Sequence, residues 1–243
     1  MTFRAILFDL DGTLVDSERE SAEAMARVLS RELGLDVTAA HRNYVVGHSW
    51  NEIYARLKED FGDRLSWSMR ELIDRAAAER EHVIAELGLT HMPGAVAAVR
   101  RFCSYPKAIV TGSSRAEARQ ALGALGIADA FPVILASEDY ARGKPAPDGY
   151  LAAAAKLGAA PADCLVIEDS AAGIAAARAA GMTVVAVSAG NFLGQDQSAA
   201  HHVVETLDEV TDDLVARLGG PHRAPPDGGA ASARSRPPKG GRR

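Results

Sequence analysis

Residues 3–13 read Phe3-Arg4-Ala5-Ile6-Leu7-Phe8-Asp9-Leu10-Asp11-Gly12-Thr13, an apolar run that breaks into two carboxylates and a glycine. The run has the length and composition of a buried strand, and a hydrophobic core has no place for Asp9 and Asp11. Gly12 encourages the chain to leave the strand at this point. The stretch therefore predicts a carboxylate pocket at the C-terminal edge of a strand, where open α/β sheets bind their ligands.

From residue 92 onward, short apolar runs alternate with helical patterns. Strands are expected at residues 108–110, 133–136, 164–167, 184–187 and 203–204, with helices at 115–125, 147–157, 171–180 and 207–218. Gly126, Gly158, Gly181 and Gly219 follow those helices and suit C-terminal caps. Alternation of this kind predicts an α/β fold: a doubly wound parallel sheet, Rossmann-like, covered by helices on both faces and joined by the strand at 3–8.

Residues 17–91 break the alternation. Apolar residues recur there at helical spacing, at Ala22, Met25, Ala26, Leu29 and Leu33, at Ile53, Tyr54, Leu57 and Phe61, and at Ile73, Ala76, Val83, Ile84 and Leu87. The expected organisation is a discontinuous core, residues 1–16 and 92–218, with an all-helical cap at 17–91 placed as a lid over the Asp9 loop.

Composition narrows the function classes. Of 243 residues, 47% are hydrophobic, which suits a globular chain with a sizeable core. Arg4 and Asp9 come too early for a secretory apolar segment, and the uncharged stretch 179–195 is interrupted by Gly, Ser, Asn and Thr. These features predict a cytoplasmic protein without a membrane partner. Cys103 and Cys164 lack metal-ligand spacing and are expected to be buried free thiols. Residues 219–243 hold six Arg or Lys against one Asp, so the formal net charge of −5 conceals −10 over residues 1–218. This basic tail has no large apolar residue and is expected to be disordered, as a solvated extension rather than a nucleic-acid arm.

Other expected strand ends also carry polar groups. Thr111-Gly112-Ser113-Ser114 opens a helix with hydroxyls and a glycine, which suits either a phosphate or an ordinary N-cap. Gly143-Lys144-Pro145 presents a lysine in a proline-stiffened loop, and Glu168-Asp169-Ser170 ends the strand at 164–167. If that strand neighbours the first, Asp9, Asp11, Glu168 and Asp169 converge, and their repulsion calls for a cation. Magnesium, which accepts a few carboxylates together with waters and a substrate phosphate, suits that need.

In their order along the chain, Phe8 to Ser17, Val110 to Ser114, Gly143 to Pro145 and Val166 to Ser170 resemble the haloacid dehalogenase superfamily, in its helical-cap subgroup that includes β-phosphoglucomutase and phosphoglycolate phosphatase. The resemblance spans residues 1 to about 217. It implies that Asp9 is the nucleophile and Asp11 the general acid and then base. It further implies phosphate binding by Thr111 and Gly112 with Ser113 close by, Lys144 bridging nucleophile and phosphate, and Mg2+ held by Asp9, Asp169 and the Asp11 carbonyl with Glu168 in support. Asp11 tells against carbon–halogen hydrolysis, which needs no second acid.

A mutase of this subgroup has a lysine before the glycine of its cap loop and an arginine three residues after it. Here Val46 and Trp50 stand in those places around Gly47. That difference favours a phosphatase acting on a small phosphomonoester, a sugar phosphate or phosphoglycolate-like acid, through an aspartyl-phosphate. A β-phosphoglucomutase-like phosphomutase is the alternative, and a non-catalytic phosphate-binding or nucleic-acid-associated protein is the second. His48, Ser49, Trp50 and Asn51 are candidate substrate contacts, although Trp50 could equally pack the cap. A monomer or weak dimer with a small phosphorylated metabolite as its partner is expected.

Overall fold

Six short runs rich in Val, Ile, Leu and Ala pair side by side into a single parallel sheet in the order β3-β2-β1-β4-β5-β6. They are β1 (Ala5–Phe8), β2 (Lys107–Val110), β3 (Val133–Leu135), β4 (Cys164–Glu168), β5 (Thr183–Val187) and β6 (His202–Val204). The computed structural model describes residues 3–220 apart from Gly47, Ser49 and Leu193. Beyond Gly220, the expected basic tail lies outside the described residues.

Alternation along the strands builds two cores. Ile6 and Phe8 of β1 face one side of the sheet with Ile109, Leu165 and Ile167, under helices α5 (Ala95–Arg101), α6 (Arg115–Ala124) and α9 (Asp212–Leu218). Ala5 and Leu7 face the other side with Ala108, Val110 and Val166, under α7 (Asp148–Leu157) and α8 (Ala171–Ala179). Burial on both faces explains why the strands read as continuous apolar runs rather than alternating ones.

Between β1 and α5 the chain forms α1 (Ser17–Leu33), α2 (Ala39–Val45), α3 (Trp50–Phe61) and α4 (Met69–Leu87). These helices share a core of their own, built on Met25, Leu29, Ile53, Leu57 and Leu72. Gly34, at φ +62°, ends α1, and the Ser68–Glu71 capping box starts α4. The chain leaves and re-enters the α/β unit at one place. Asp16 N–H donates to Thr90 O at 2.9 Å, Met92 N–H donates to Leu14 O at 3.0 Å, and Val15 bridges His91 in antiparallel fashion.

The structure departs from the sequence expectations at a few points. The helix expected over 207–218 is two pieces, a 3-10 turn at Leu207–Glu209 and α9 from Asp212. Arg101 Nη1 takes the Val210 carbonyl at 2.7 Å, and the Thr211 hydroxyl accepts from Leu214 N–H to start a new helix. Gly219 follows α9 with a negative φ of −78°, so it is not a left-handed cap. Leu87, expected on the apolar face of α4, is 62% exposed. Of the two free thiols, Cys164 is buried but Cys103 is exposed at the end of α5. Among the described residues, no helix is long and apolar enough to cross a membrane.

Candidate active site

Register places the site. Phe8 pairs with Ile109 of β2 and with Ile167 of β4, so the residues that follow those positions emerge along one edge of the sheet. Asp9 N–H still donates to Ile167 O at 3.0 Å, which sets Asp9 beside Glu168. The strand order changes direction about β1, and that switch point is where doubly wound sheets leave a crevice.

Three carboxylates meet there. Asp9, Glu168 and Asp169 are all buried, and each offers an oxygen within 4.8 Å of the others. Lys144 Nζ donates to Asp9 Oδ1 and, at 2.5 Å, to Glu168 Oε1. Tyr150 OH also donates to Glu168 Oε1, at 3.3 Å, and the Tyr150 ring lies 5.4 Å from the ammonium. Glu168 Oε2 accepts from the backbone N–H groups of Asp169 and Ser170, at 2.8 and 2.7 Å, and from the Ser170 hydroxyl. Asp169 accepts from Thr13 Oγ1 at 2.9 Å, and its carbonyl accepts from Gln197 Nε2 at 2.6 Å.

The electrostatics of this cluster are unbalanced. Burial, together with Glu168 and Asp11, outweighs Lys144 and pushes the Asp9 pKa up to about 7. Burial and the charges of Asp9 and Glu168 push Asp169 up to about 9. Burial also disfavours the Lys144 charge, but Asp9 and Glu168 more than compensate and hold its pKa above the usual lysine range. One ammonium among three buried carboxylates leaves negative charge that a divalent cation would neutralise. Oxygen donors at this mutual spacing fit such an ion.

Asp11, which the sequence grouped with the other three acids, does not bring its carboxylate into the cluster. Its Oδ1 accepts from Ser17 Oγ at 2.5 Å, and its Oδ2 accepts from Ser113 Oγ at 2.6 Å and Thr111 Oγ1 at 3.2 Å. The two readings of residues 111–114 divide between neighbouring hydroxyls. Ser114 caps α6 in a box with Glu117, whereas Thr111 and Ser113 face Asp11.

A cavity of about 970 Å3 opens over this edge, with Asp9, Asp11, Thr111, Gly112, Ser113 and Lys144 on its floor. Residues of α4 and Trp50 of α3 line its far side. Trp50 also packs against the core of the helical layer, as the packing alternative expects. His48 is not in the lining: its ring stacks on Tyr44 at 4.0 Å and lies 3.3 Å from Val46 O. Asn51 is exposed and also outside the lining, and Ser49 lies outside the described residues.

Sequence reasoning missed Tyr150, Gln197 and Ser17, and also Arg80, which lines the cavity from α4. Ser17 was legible, since it closes the quoted motif. Nothing local marks Tyr150 or Gln197, which reach the site only through packing.

Comparison with known proteins gives a consistent picture. A family model for haloacid dehalogenase-like hydrolases matches residues 3–181. Hexitol phosphatase A of Escherichia coli (strain K12) is 34% identical over 202 residues, covering 78% of this chain and 85% of the relative. β-Phosphoglucomutase of Bacillus subtilis (strain 168) is 29% identical over 216 residues, covering 87% of this chain and 93% of the relative. The crystal structure of a HAD family hydrolase from Deinococcus radiodurans R1, with bound phosphate and sodium, superposes with a TM-score of 0.65 at 30% identity, over 89% of this chain and 96% of that one.

Proposed function

The chain belongs to the haloacid dehalogenase-like hydrolases, and from that premise we propose that it is a Mg2+-dependent phosphatase of a small phosphomonoester, a sugar phosphate or phosphoglycolate-like acid. The carrying observation is the junction of Asp9 with Lys144, Glu168 and Asp169 beside a separately held Asp11. A phosphate-binding protein has no need of a second acid placed next to the first. Hexitol phosphatase A among the relatives supports the substrate class.

In this reading, Lys144 fixes one oxygen of Asp9, and the other attacks phosphorus. The P–O bond to the substrate alcohol breaks, and Asp11 gives its proton to the leaving oxygen. Water then attacks the aspartyl-phosphate on Asp9 and passes a proton back to Asp11, releasing inorganic phosphate. Asp9, Asp169 and the Asp11 carbonyl, with Glu168 in support, would hold Mg2+, whose charge offsets that of the incoming phosphate. Lys144 and the hydroxyls of Thr111 and Ser113 orient the phosphoryl oxygens, with Gly112 leaving room for them. General acid–base assistance of the kind assigned to Asp11 contributes about 10^2 to 10^4 in rate. The helical layer over residues 17–91 acts as the lid that excludes water. The proposal includes a cytoplasmic, monomeric or weakly dimeric protein.

The test is phosphate release from a metabolite panel with Mg2+. Release from hexose, hexitol or short-acid phosphates is expected. Interconversion of hexose 1- and 6-phosphates without release would instead establish the mutase, which the β-phosphoglucomutase relative keeps in view. Val46 and Trp50, in place of two cap-loop cations, weigh against that outcome.

A further inference from the structure

Gln197, in the loop after β5, is buried between two exposed neighbours, Asp196 and Ser198. A buried amide needs partners, and this one has two: its Nε2 donates to Asp169 O at 2.6 Å and to Val187 O at 3.1 Å. The parallel pairing of β4 with β5 stops at Glu168 and Ala186, so both carbonyls lie one residue past the last rung. The side-chain amide joins the two strands where their own ladder has ended. The same loop meets the acidic cluster from a second direction. A Cβ on Gly190 would fall 1.8 Å from Gly12 O, and one on Gly12 would fall 2.3 Å from Asp169 Oδ2. Gly190 therefore backs Gly12, and Gly12 lies against the Asp169 carboxylate. Asn191 and Gln195 close the loop on itself, since Asn191 Nδ2 donates to Gln195 O at 2.8 Å and Gln195 N–H donates to Asn191 Oδ1 at 2.7 Å. Gln195 Oε1 also accepts from Ala171 N–H at 3.0 Å, at the start of α8.

Asp169 is the acid of the cluster that most needs such an anchor. Asp9 and Glu168 repel it, and Lys144 donates to those two acids, whereas the Asp169 carboxylate has the Thr13 hydroxyl. Turning away from the cluster would relieve the repulsion, so the backbone that carries the carboxylate must be held. We propose that Gln197 is a positioning residue: by fixing the Asp169 carbonyl it keeps the carboxylate where the cluster receives its divalent cation, and so sets the affinity for that ion. Groups that orient a metal ligand without touching the metal contribute about 10- to 100-fold in metal affinity or activity. The proposal rests on the Mg2+ reading of the site and adds to it a residue that none of the sequence motifs contains.

The test is calorimetric titration of Mg2+ into metal-free protein, without substrate, for the parent, Gln197→Met and Gln197→Asn. Methionine matches glutamine in length and donates nothing, and asparagine keeps the amide but is one methylene too short to span both carbonyls. Gln197→Met weakens Mg2+ binding by about tenfold or more, and Gln197→Asn weakens it by less. In turnover assays both variants need more Mg2+ to reach half their maximal rate, while KM for the phosphomonoester at saturating Mg2+ stays near the parent's. Gln195→Met is the control, since it removes the acceptor at Ala171 and leaves the Asp169 carbonyl bonded. It lowers the melting temperature without moving the Mg2+ affinity. Equal affinity in the parent and both Gln197 variants overturns the proposal, and so does an equal loss from Gln195→Met, which makes loop stability the cause. If Gln197→Met does not melt cooperatively, Gln197→Asn decides. A parent protein that binds no Mg2+ overturns the metal reading and the proposal together. Mg2+ binding that depends on Gln197 in a protein releasing no phosphate upholds the positioning role and removes the phosphatase.

Discussion

The carboxylates of the site divide between an ammonium, which Asp9 and Glu168 share, and hydroxyls. Asp9 faces an ammonium, Asp169 a threonine hydroxyl, and Asp11 three hydroxyls. In the proposed mechanism, that difference separates the nucleophile Asp9 from the proton carrier two residues away. Asp9→Asn keeps the shape of the side chain and removes the attacking oxygen, so kcat falls by about 10^4 or more, the scale seen when a nucleophile is lost. A cooperative thermal melt from the same sample shows that the fold is intact, and retained turnover removes Asp9 from its role. Replacing Thr111 with Val and Ser113 with Ala strips two donors from Asp11. That pair lowers kcat by about 10- to 100-fold, a part of the roughly 10^2- to 10^4-fold that general acid–base assistance supplies, and the loss is read from pH–rate profiles.

The elements carry their own constraint, clearest where β4 runs into α8. The Glu168 carboxylate lies in the space that a side chain on Gly173 would occupy, and a Cβ there would fall onto it. Alanine normally gains about 1 kcal/mol over glycine inside a helix. Overpacking at a buried contact costs about 1–3 kcal/mol, and here the obstacle is the group that holds Lys144, so the loss wins. Gly173→Ala therefore lowers the urea midpoint and also kcat, and a midpoint at or above the parent's would refute this packing argument. The same scale shows what local sequence does and does not specify. The strands and the acids at their ends were legible because burial and strand termination are local properties. The split of the helix over 207–218 was not, because Leu207, Val210, Leu214, Val215 and Leu218 keep a helical period across it. The signal that mattered was Thr211 followed by Asp212 and Asp213, an N-cap with acids in the first turn.

Over the whole molecule, the unbalanced acids link stability to pH. Asp9 and Asp169 titrate near 3.8 when unfolded, but are pushed up to about 7 and about 9 in the fold. Between those values the folded chain binds more protons than the unfolded one, so stability falls as pH rises, and the penalty is absent below about pH 4. In EDTA, the melting temperature drops from about pH 5 to pH 8 through these groups, and added Mg2+ raises it more at the upper end. Differential scanning fluorimetry across that range checks the sign, and a metal-induced shift that shrinks with pH contradicts it. Long-range placement was the part hidden from sequence. Arg80, Tyr150 and Gln197 reach the site from α4, α7 and a loop after β5, positions that no short motif connects. The paired crossings at Asp16–Thr90 and Val15–His91 have a further consequence. Both ends of the helical layer are therefore anchored side by side. Splicing residue 16 to residue 91 through a turn of about two residues, the usual hairpin closure, would leave every strand of the sheet in its present register.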